Sequence, residues 1–165
     1  MKGPANWVVA YVANSGSDTV TPIVTATNTA STSITVGHGP RVIAVTPNGK
    51  TAYIGNGNSG TVTPISTATN TARPPITVGN DPIAIAITPN GKTAYVANQD
   101  SGTVTPIWTM TNTAGPPIAV GNGPDAIAIA TLTRRHWHRH RPRPSGSPTR
   151  SAAQPDIRAA SLPRA

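Results

Sequence analysis

The stretch Pro82–Asn98 reads PIAIAITPNGKTAYVAN, which is two short apolar runs on either side of a turn sequence. Within that turn, Pro presets φ and Asn-Gly accepts positive φ, as a tight connection between two strands requires. The same pattern occurs 42 residues earlier at Pro40–Asn56, and its second half occurs a further 42 residues earlier at Ala10–Asn14. A fixed period of roughly 20–50 residues is typical of solenoids, propellers and other arrays. The sequence therefore predicts a repeat architecture.

Each repeat contains four short runs separated by turn residues, at spacings that predict β-strands. The middle copy has these runs at 41–46, 51–56, 60–65 and 75–78. No window combines the apolar spacing and the caps that a helix needs. The sequence therefore predicts an all-β fold, and four antiparallel strands per repeat of this length are typical of β-propeller blades.

A proline lies inside the third run of every copy, at Pro22, Pro64 and Pro106. Proline cannot donate a hydrogen bond to a strand ladder and is normally confined to edges and bulges. Either a bulge occurs there or the proline face of the strand lies outside the regular pairing, and we expect the third strand to be interrupted at these positions. An asparagine ends the second run of every copy, at Asn14, Asn56 and Asn98. We expect these to be turn residues that bond their own backbone, with repeated ligand contacts as the alternative.

The segment Pro82–Asn98 resembles the repeat of the YVTN-type β-propeller family, as do the run Gly102–Thr105, the turn Thr111–Thr113 and the ending Val120–Gly121. The resemblance covers roughly residues 8–130 in three copies. It implies that the strand beginning with Pro-x-x-Ile-Ala is the innermost of its blade and that the strand ending in Val-Gly is the outermost.

This mapping divides residues 1–130 into blades at 8–36, 41–78 and 83–120, followed by a lone innermost strand at 125–130. We therefore expect a partial β-propeller of about three four-stranded antiparallel blades. Propellers close with about four to eight blades, so three blades leave an open wedge with two exposed apolar faces. Such faces predict self-association or instability. A six-blade ring made by two chains is one form that self-association could take.

Residues 131–165 break the repeat and carry most of the charge. The formal net charge is +8; residues 1–130 hold five Lys and Arg against four Asp, whereas 131–165 hold eight Arg against one Asp. We expect an Arg- and Pro-rich disordered tail. Its composition is also typical of G+C-rich DNA read in a wrong frame, and shifting the codons of 137–140 by one nucleotide permits the repeat motif Gly-Thr-Val-Thr. Our hypothesis is a frameshift, which the other reading frames of the gene would test.

The tail also offers two kinds of chemistry. His136, His138 and His140 alternate, so on a strand they would share one face as candidate metal ligands, although we predict no metal site in a disordered tail. Trp137 among arginines could stack on single-stranded nucleic acid while the arginines neutralise phosphates. We expect only non-specific binding of nucleic acid through this charge.

The resemblance also implies a central channel lined by the innermost strands. The loops from the outermost strand of one blade to the innermost strand of the next reach back toward the mouth of this channel, where propellers commonly hold ligands. Their ionisable residues are His38, Arg41, Asp81 and Asp125. We take these four as candidate ligand-binding residues, with solvated loop charges as the alternative.

No nucleophile elbow, phosphate loop, zinc spacing or carboxylate pair is present, and the chain contains neither Cys nor Glu. We therefore predict no catalytic residue and no cofactor, and interpret the chain as a non-catalytic fragment that acts as a scaffold or as an interaction module for a protein or small ligand. The resemblance implies secreted or surface-associated relatives, some of them lactonase-like. A remnant of a lactonase-like hydrolase is thus one alternative, and nucleic-acid binding through the tail is another.

Two targeting features are missing from the sequence. The longest apolar run falls short of the roughly 18 residues that a membrane span needs, so we expect no membrane span. Residues 1–9 lack the apolar region of a signal peptide, which leaves the cellular location open.

Overall fold

The computed structural model describes residues 7–132. The expected disordered tail and the candidate metal ligands His136, His138 and His140 therefore lie outside the described residues. Within the described part, the chain forms three antiparallel sheets and one short 3-10 turn at Gly57–Ser59. The all-β prediction is confirmed, and the three sheets are blades of a partial β-propeller. No helix in residues 7–132 has the length and hydropathy to cross a membrane.

The strands repeat with the period of the sequence. The first sheet contains β1 (Val9–Asn14), β2 (Thr19–Val24), β3 (Thr29–Ala30) and β4 (Ile34–Thr35). The second contains β5 (Pro40–Val45), β6 (Thr51–Asn56), β7 (Thr61–Ser66), β8 (Thr71–Ala72) and β9 (Ile76–Thr77). The third contains β10 (Pro82–Ile87), β11 (Thr93–Asn98), β12 (Thr103–Trp108), β13 (Thr113–Ala114) and β14 (Ile118–Ala119).

The outermost strand of each blade is split into two short pieces. In the second sheet the order is β5-β6-β7, and both β8 and β9 pair with β7. The sequence predicted only one outer run, at 75–78, which contains β9. The other piece, β8, was missed because Thr71–Ala72 has no apolar alternation. Residues 125–130, expected as a lone innermost strand, pair with no strand of the described chain. In a blade the partner of an innermost strand is the second strand, as β6 is for β5.

The prediction that proline interrupts the third strand is wrong. β7 runs unbroken through Pro64, which lies opposite Tyr53 in the ladder with β6. The carbonyl of Pro64 accepts a hydrogen bond from the backbone N–H of Arg73 on the outer side, at 2.8 Å. Because the N and C=O of one strand residue point to the same side, the missing N–H of Pro64 also faces outward, at the gap between β8 and β9. Proline therefore removes no hydrogen bond from the β6–β7 ladder, and Pro22 and Pro106 accept the equivalent outer bonds.

The core of the molecule lies between blades rather than within one. One cluster joins buried side chains of the first and second sheets: Val20, Ile34, Ala52, Ile54 and Ile65. The other joins the second and third sheets in the same way: Tyr53, Val62, Ile76, Ala94, Val96 and Ile107. Small and β-branched side chains suit closely stacked sheets, which fits a chain without phenylalanine. Each blade is therefore stabilised mainly by its neighbours.

A tyrosine connects each blade to the next. The hydroxyl of Tyr11 donates to Oδ1 of Asn70 at 2.8 Å, and that of Tyr53 donates to Oδ1 of Asn112 at 2.6 Å. Both asparagines occupy the left-handed region, with φ of 53°. Burial raises the pKa of the fully buried Tyr53 above its ordinary value of 10.0, against a smaller lowering by the charge of Arg73. These bonds fix the turn of one blade on the second strand of the blade before it.

The asparagines that end the second strands are not turn residues bonded to their own backbone. Asn56 is fully buried, and its Nδ2 donates to the hydroxyls of Thr61 and Thr63 at 3.1 and 2.9 Å. Gly37, in the loop that leaves the preceding blade, lies directly against this amide: a Cβ there would come within 2.7 Å of Asn56 Nδ2. Asn98 repeats the arrangement with Thr103, Thr105 and Gly79. These residues therefore pack one blade against the next.

Candidate functional site

The loops at one end of the three sheets form a continuous surface, which we call the loop face. It comprises the loops 15–18, 36–39, 57–60, 78–81, 99–102 and 120–125, together with Arg41. Backbone bonds join the loop that enters a blade to the loop between the second and third strands of the same blade. In the second blade, the N–H of Gly57 donates to the carbonyl of Gly39 at 2.8 Å. The N–H of Gln99 donates likewise to the carbonyl of Asp81 at 2.9 Å. All four candidate residues predicted from the sequence lie on this face.

His38 makes a side-chain hydrogen bond that the sequence did not predict. Its Nδ1 lies 2.7 Å from Oδ2 of Asp18, and Oδ1 of the same carboxylate accepts the backbone N–H of Gly39 at 2.8 Å. The bond from Gly39, followed by that from His38, holds the pKa of Asp18 below its ordinary value of 3.8. Because the His38 side chain is 78% exposed, its imidazole remains accessible to a partner from solvent.

Arg41 and Asp81 are brought into direct contact across the second and third blades. The Arg41 guanidinium donates through Nη1 to Oδ1 of Asp81 at 2.8 Å, and the carboxylate is only 16% exposed. The register of β5 with β6 shifts between Pro40 and Val42, which leaves Arg41 as the extra residue of a bulge. Bulges re-aim the side chain of the extra residue, and here Arg41 reaches the loop that precedes β10.

Asp125 lies at the far end of the same network. Its Oδ1 accepts a hydrogen bond from Nε2 of Gln99, whose backbone is bonded to Asp81. At the other end, Arg41 Nη2 lies 3.4 Å from Oδ1 of Asn58, whose backbone N–H donates to the carbonyl of His38. Polar contacts therefore run from Asp18 to Asp125 across all three blades. Only Arg41 and Asp81 touch each other among the four predicted residues.

Both carboxylates that bridge blades occupy positions where other copies carry glycine. Asp18 has φ of 55° and corresponds to Gly60 and Gly102, whereas Asp81 has φ of 52° and corresponds to Gly39 and Gly123. A left-handed conformation is uncommon for residues other than glycine, with Asp and Asn enriched among the exceptions. This departure from the repeat was the signal in the sequence that could have identified Asp18.

A cavity of about 380 Å³ opens beside the Arg41–Asp81 pair. Its lining consists of polar side chains and glycines: Arg41, Gly57, Asn58, Ser59, Gly60, Asn80, Asp81 and Asp100. The volume falls within the range of roughly 300–1,000 Å³ that small-molecule sites occupy. Charged donors and acceptors on one wall could orient a small polar ligand or a side chain of a partner protein.

Within residues 7–132, no three His, Cys, Asp or Glu side chains come together as a set of metal ligands.

Two threonine-lined grooves of about 250 and 230 Å³ lie at the two junctions between blades. The grooves are related by the period of 42 residues; for example, Thr63 and Thr105 hold the same position in each. Both threonines accept hydrogen bonds from the buried asparagines, so the grooves are edges of the packing between blades.

Comparison with known proteins gives the fold. Neither a protein-family model nor a curated protein matches the chain. Among solved structures, hydrazine synthase of Kuenenia stuttgartiensis is 28% identical with a TM-score of 0.69, over 72% of this chain and 34% of that one. A 6-phosphogluconolactonase-like protein of Bacteroides fragilis is 24% identical with a TM-score of 0.62, over 72% and 37% of the two chains. A similar protein of Bacteroides uniformis is 21% identical with a TM-score of 0.64, over 77% and 42%.

These neighbours have β-propeller-type folds, in agreement with the three stacked antiparallel sheets of this chain. The chain spans between about a third and two fifths of the length of the structures it matches. Residues 7–132 are therefore part of a β-propeller.

Proposed function

We propose that the chain is a non-catalytic β-propeller fragment of the YVTN repeat type, which presents its loop face to a protein or small-ligand partner. The observation that carries the proposal is the row of polar contacts from Asp18 to Asp125. It uses five of the six ionisable side chains of this face, all but Asp100, to hold loops of successive blades together. A general base must lie within hydrogen-bond reach of the proton that it abstracts. Here the carboxylate of Asp81 is already bonded to Arg41, and that of Asp18 is bonded to His38 and Gly39. These existing bonds favour a structural role for both carboxylates over a role as general base.

The cavity beside Arg41 is the part of the loop face best suited to a ligand. A small library of polar fragments, titrated into isotopically labelled protein and followed by amide NMR shifts, tests this directly. We expect the largest shifts at residues 57–60 and 79–81, and weaker binding in Arg41→Ala. Lys50→Ala is the matched control, because Lys50 lies in the turn at the opposite end of the second sheet. Shifts confined to other surfaces, or equal loss in both variants, would contradict the proposal.

A lactonase-like hydrolase remnant is the second candidate, supported by the two 6-phosphogluconolactonase-like neighbours. Acid release from 6-phosphogluconolactone, measured against the spontaneous rate, separates the two functions. The non-catalytic proposal expects no excess rate. A rate above background that Asp81→Asn abolishes would instead establish hydrolysis at the Arg41–Asp81 pair.

A further inference from the structure

The blades pack through two kinds of face. The second blade presents to the third a trailing face of Tyr53, Val62 and Ile76, and the third receives it on a leading face of Ala94, Val96 and Ile107. The first blade meets the second through equivalent residues, 42 positions earlier on both sides. Within residues 7–132, two further faces have no neighbouring blade. These are the leading face of the first blade (Ala10, Val12, Ile23) and the trailing face of the third (Tyr95, Val104, Ile118).

The two open faces expose apolar side chains that are covered at the internal junctions. Val12 is 41% exposed, whereas its counterparts Ile54 and Val96 are fully buried. Ile118 is 49% exposed, whereas its counterpart Ile76 is 8% exposed. Each open face is therefore one half of an interface that the chain already builds twice.

The polar contacts of the internal junctions are also present in halves. Tyr95 corresponds to Tyr11 and Tyr53, whose hydroxyls bond Asn70 and Asn112 of the next blade. The asparagine of the first blade at the same position is Asn28, and its φ of 51° matches theirs. The open trailing face thus carries the donor of this contact, and the open leading face carries its acceptor.

Two smaller contacts are divided in the same way. A Cβ on Gly121 would meet nothing within 4 Å, whereas Gly37 and Gly79 lie against the asparagines of the following blade. The asparagine at that position of the first blade is Asn14. Ser59 and Ser101 accept the backbone N–H of His38 and Asn80. Their counterparts are Ser17 on the first blade and the N–H of Asn122 beyond the third.

We propose that a second copy of this chain covers both open faces, with the trailing face of each third blade on the leading face of the other copy's first blade. Tyr95 then donates to Asn28 of the other copy, and Gly121 packs on its Asn14. A head-to-tail interface closes into a ring when the rotation allows it. Two copies give six blades, within the range of about four to eight in which propellers close, whereas three copies would exceed it. This inference is independent of any ligand at the loop face.

The mass of the full chain in solution, measured by light scattering after size exclusion, tests the proposal. We expect twice the 16.8 kDa of one chain. Val12→Glu and Ile118→Lys each damage both junctions of the dimer, so each variant alone should elute as a monomer. An equimolar mixture should recover a dimer, because one of its junctions is then of wild-type sequence and the other pairs Glu with Lys.

Gly121→Ala is a variant that keeps the single chain folded, since the added methyl group meets open space there. In the dimer it faces Asn14, and we expect it to weaken association by about tenfold or more. Circular dichroism of each variant reports whether the single chain has folded. A wild-type monomer at all concentrations would overturn the proposal. Association that survives Ile118→Lys and Gly121→Ala but is lost in Val12→Glu would also overturn it, because first blades would then pair with each other. Polydisperse association that none of the three substitutions changes would overturn it as well.

Discussion

Adding one methyl group at Gly79 should separate the second and third blades. The Cβ of Gly79→Ala would lie 2.8 Å from Cβ, Cγ and Nδ2 of Asn98, and Asn98 Cβ is fixed to the backbone of β11. Overpacking of this kind costs about 1–3 kcal/mol. Moving the Asn98 amide also strains its 2.9 Å bond to Thr105, which contributes about 0.5–1.5 kcal/mol. Reduced freedom of the unfolded chain returns about 0.4–1 kcal/mol, so the free energy of unfolding should fall by about 2 kcal/mol.

The matched control is Gly16→Ala. Gly16 meets nothing within 4 Å, and neither glycine has a positive φ. The corresponding positions in the other copies carry Asn58 and Asp100, so a side chain is compatible with this backbone. We expect Gly16→Ala to stay within about 0.5 kcal/mol of the wild type, as surface substitutions usually do.

Urea unfolding followed by far-ultraviolet circular dichroism measures both variants, at one protein concentration so that association contributes equally. At about 4 °C per kcal/mol, the thermal midpoint of Gly79→Ala should fall by roughly 8 °C. Equal stability of the two variants would refute the view that the Gly–Asn contact sets the distance between blades.

Three other outcomes follow from contacts of the described residues. Tyr53→Phe should lower the free energy of unfolding by about 0.5–1.5 kcal/mol because it removes the bond to Asn112. Most of this loss should appear as coupling in a double-mutant cycle with Asn112→Gly, since glycine keeps the positive φ. Absence of coupling would show that the hydroxyl bond does not stabilise the contact between blades. Because the pKa of Asp18 is lowered in the folded state, its contribution to stability is present above the unfolded pKa and is lost as the pH falls through the folded-state pKa. Below about pH 4 the wild type should therefore lose stability more steeply than Asp18→Asn. Parallel acid-unfolding profiles of the two proteins would contradict this. Thr63→Val should destabilise the chain by about 1–3 kcal/mol because it removes an acceptor from the buried Asn56, whereas the same change at the half-buried Thr21 should cost less in urea unfolding.

The blade could be predicted from the sequence because its signals are local. The second strand at 51–56 was placed at its observed bounds, since alternating residues follow a Pro-Asn-Gly turn. The split outer strand was not predicted, because a two-residue ladder leaves too few side chains to form a pattern. The effect of Pro64 on the third strand was mispredicted for a related reason. A strand tolerates proline when the missing N–H faces away from the ladder, and the pairing of the strands decides which way it faces.

The candidate site could be predicted only in part. The loops were assigned to one end from the innermost-to-outermost strand order that the resemblance to YVTN-type propellers implies, and the structure places His38, Arg41, Asp81 and Asp125 there. The partners that hold three of them are set by the stacking of blades: Asp18 for His38, Asp81 for Arg41 and Gln99 for Asp125. Reading one repeat at a time conceals such pairs, because their members belong to different copies.

Comparing the copies after the stacking is known separates packing from binding. Several positions that contact across blades carry the same residue in every copy, as Tyr11, Tyr53 and Tyr95 do, and likewise Gly37, Gly79 and Gly121. Other positions on the loop face differ between copies: Arg41 corresponds to Ile83 and Asp125, and Asp18 corresponds to Gly60 and Gly102. Because the same stacking recurs at each junction, it requires the repeated residues and leaves the loop residues free to vary. Any specific recognition by this chain should therefore depend on the residues that depart from the 42-residue period, and substitutions at Arg41 or Asp81 should alter binding while those at Tyr53 or Gly79 alter stability.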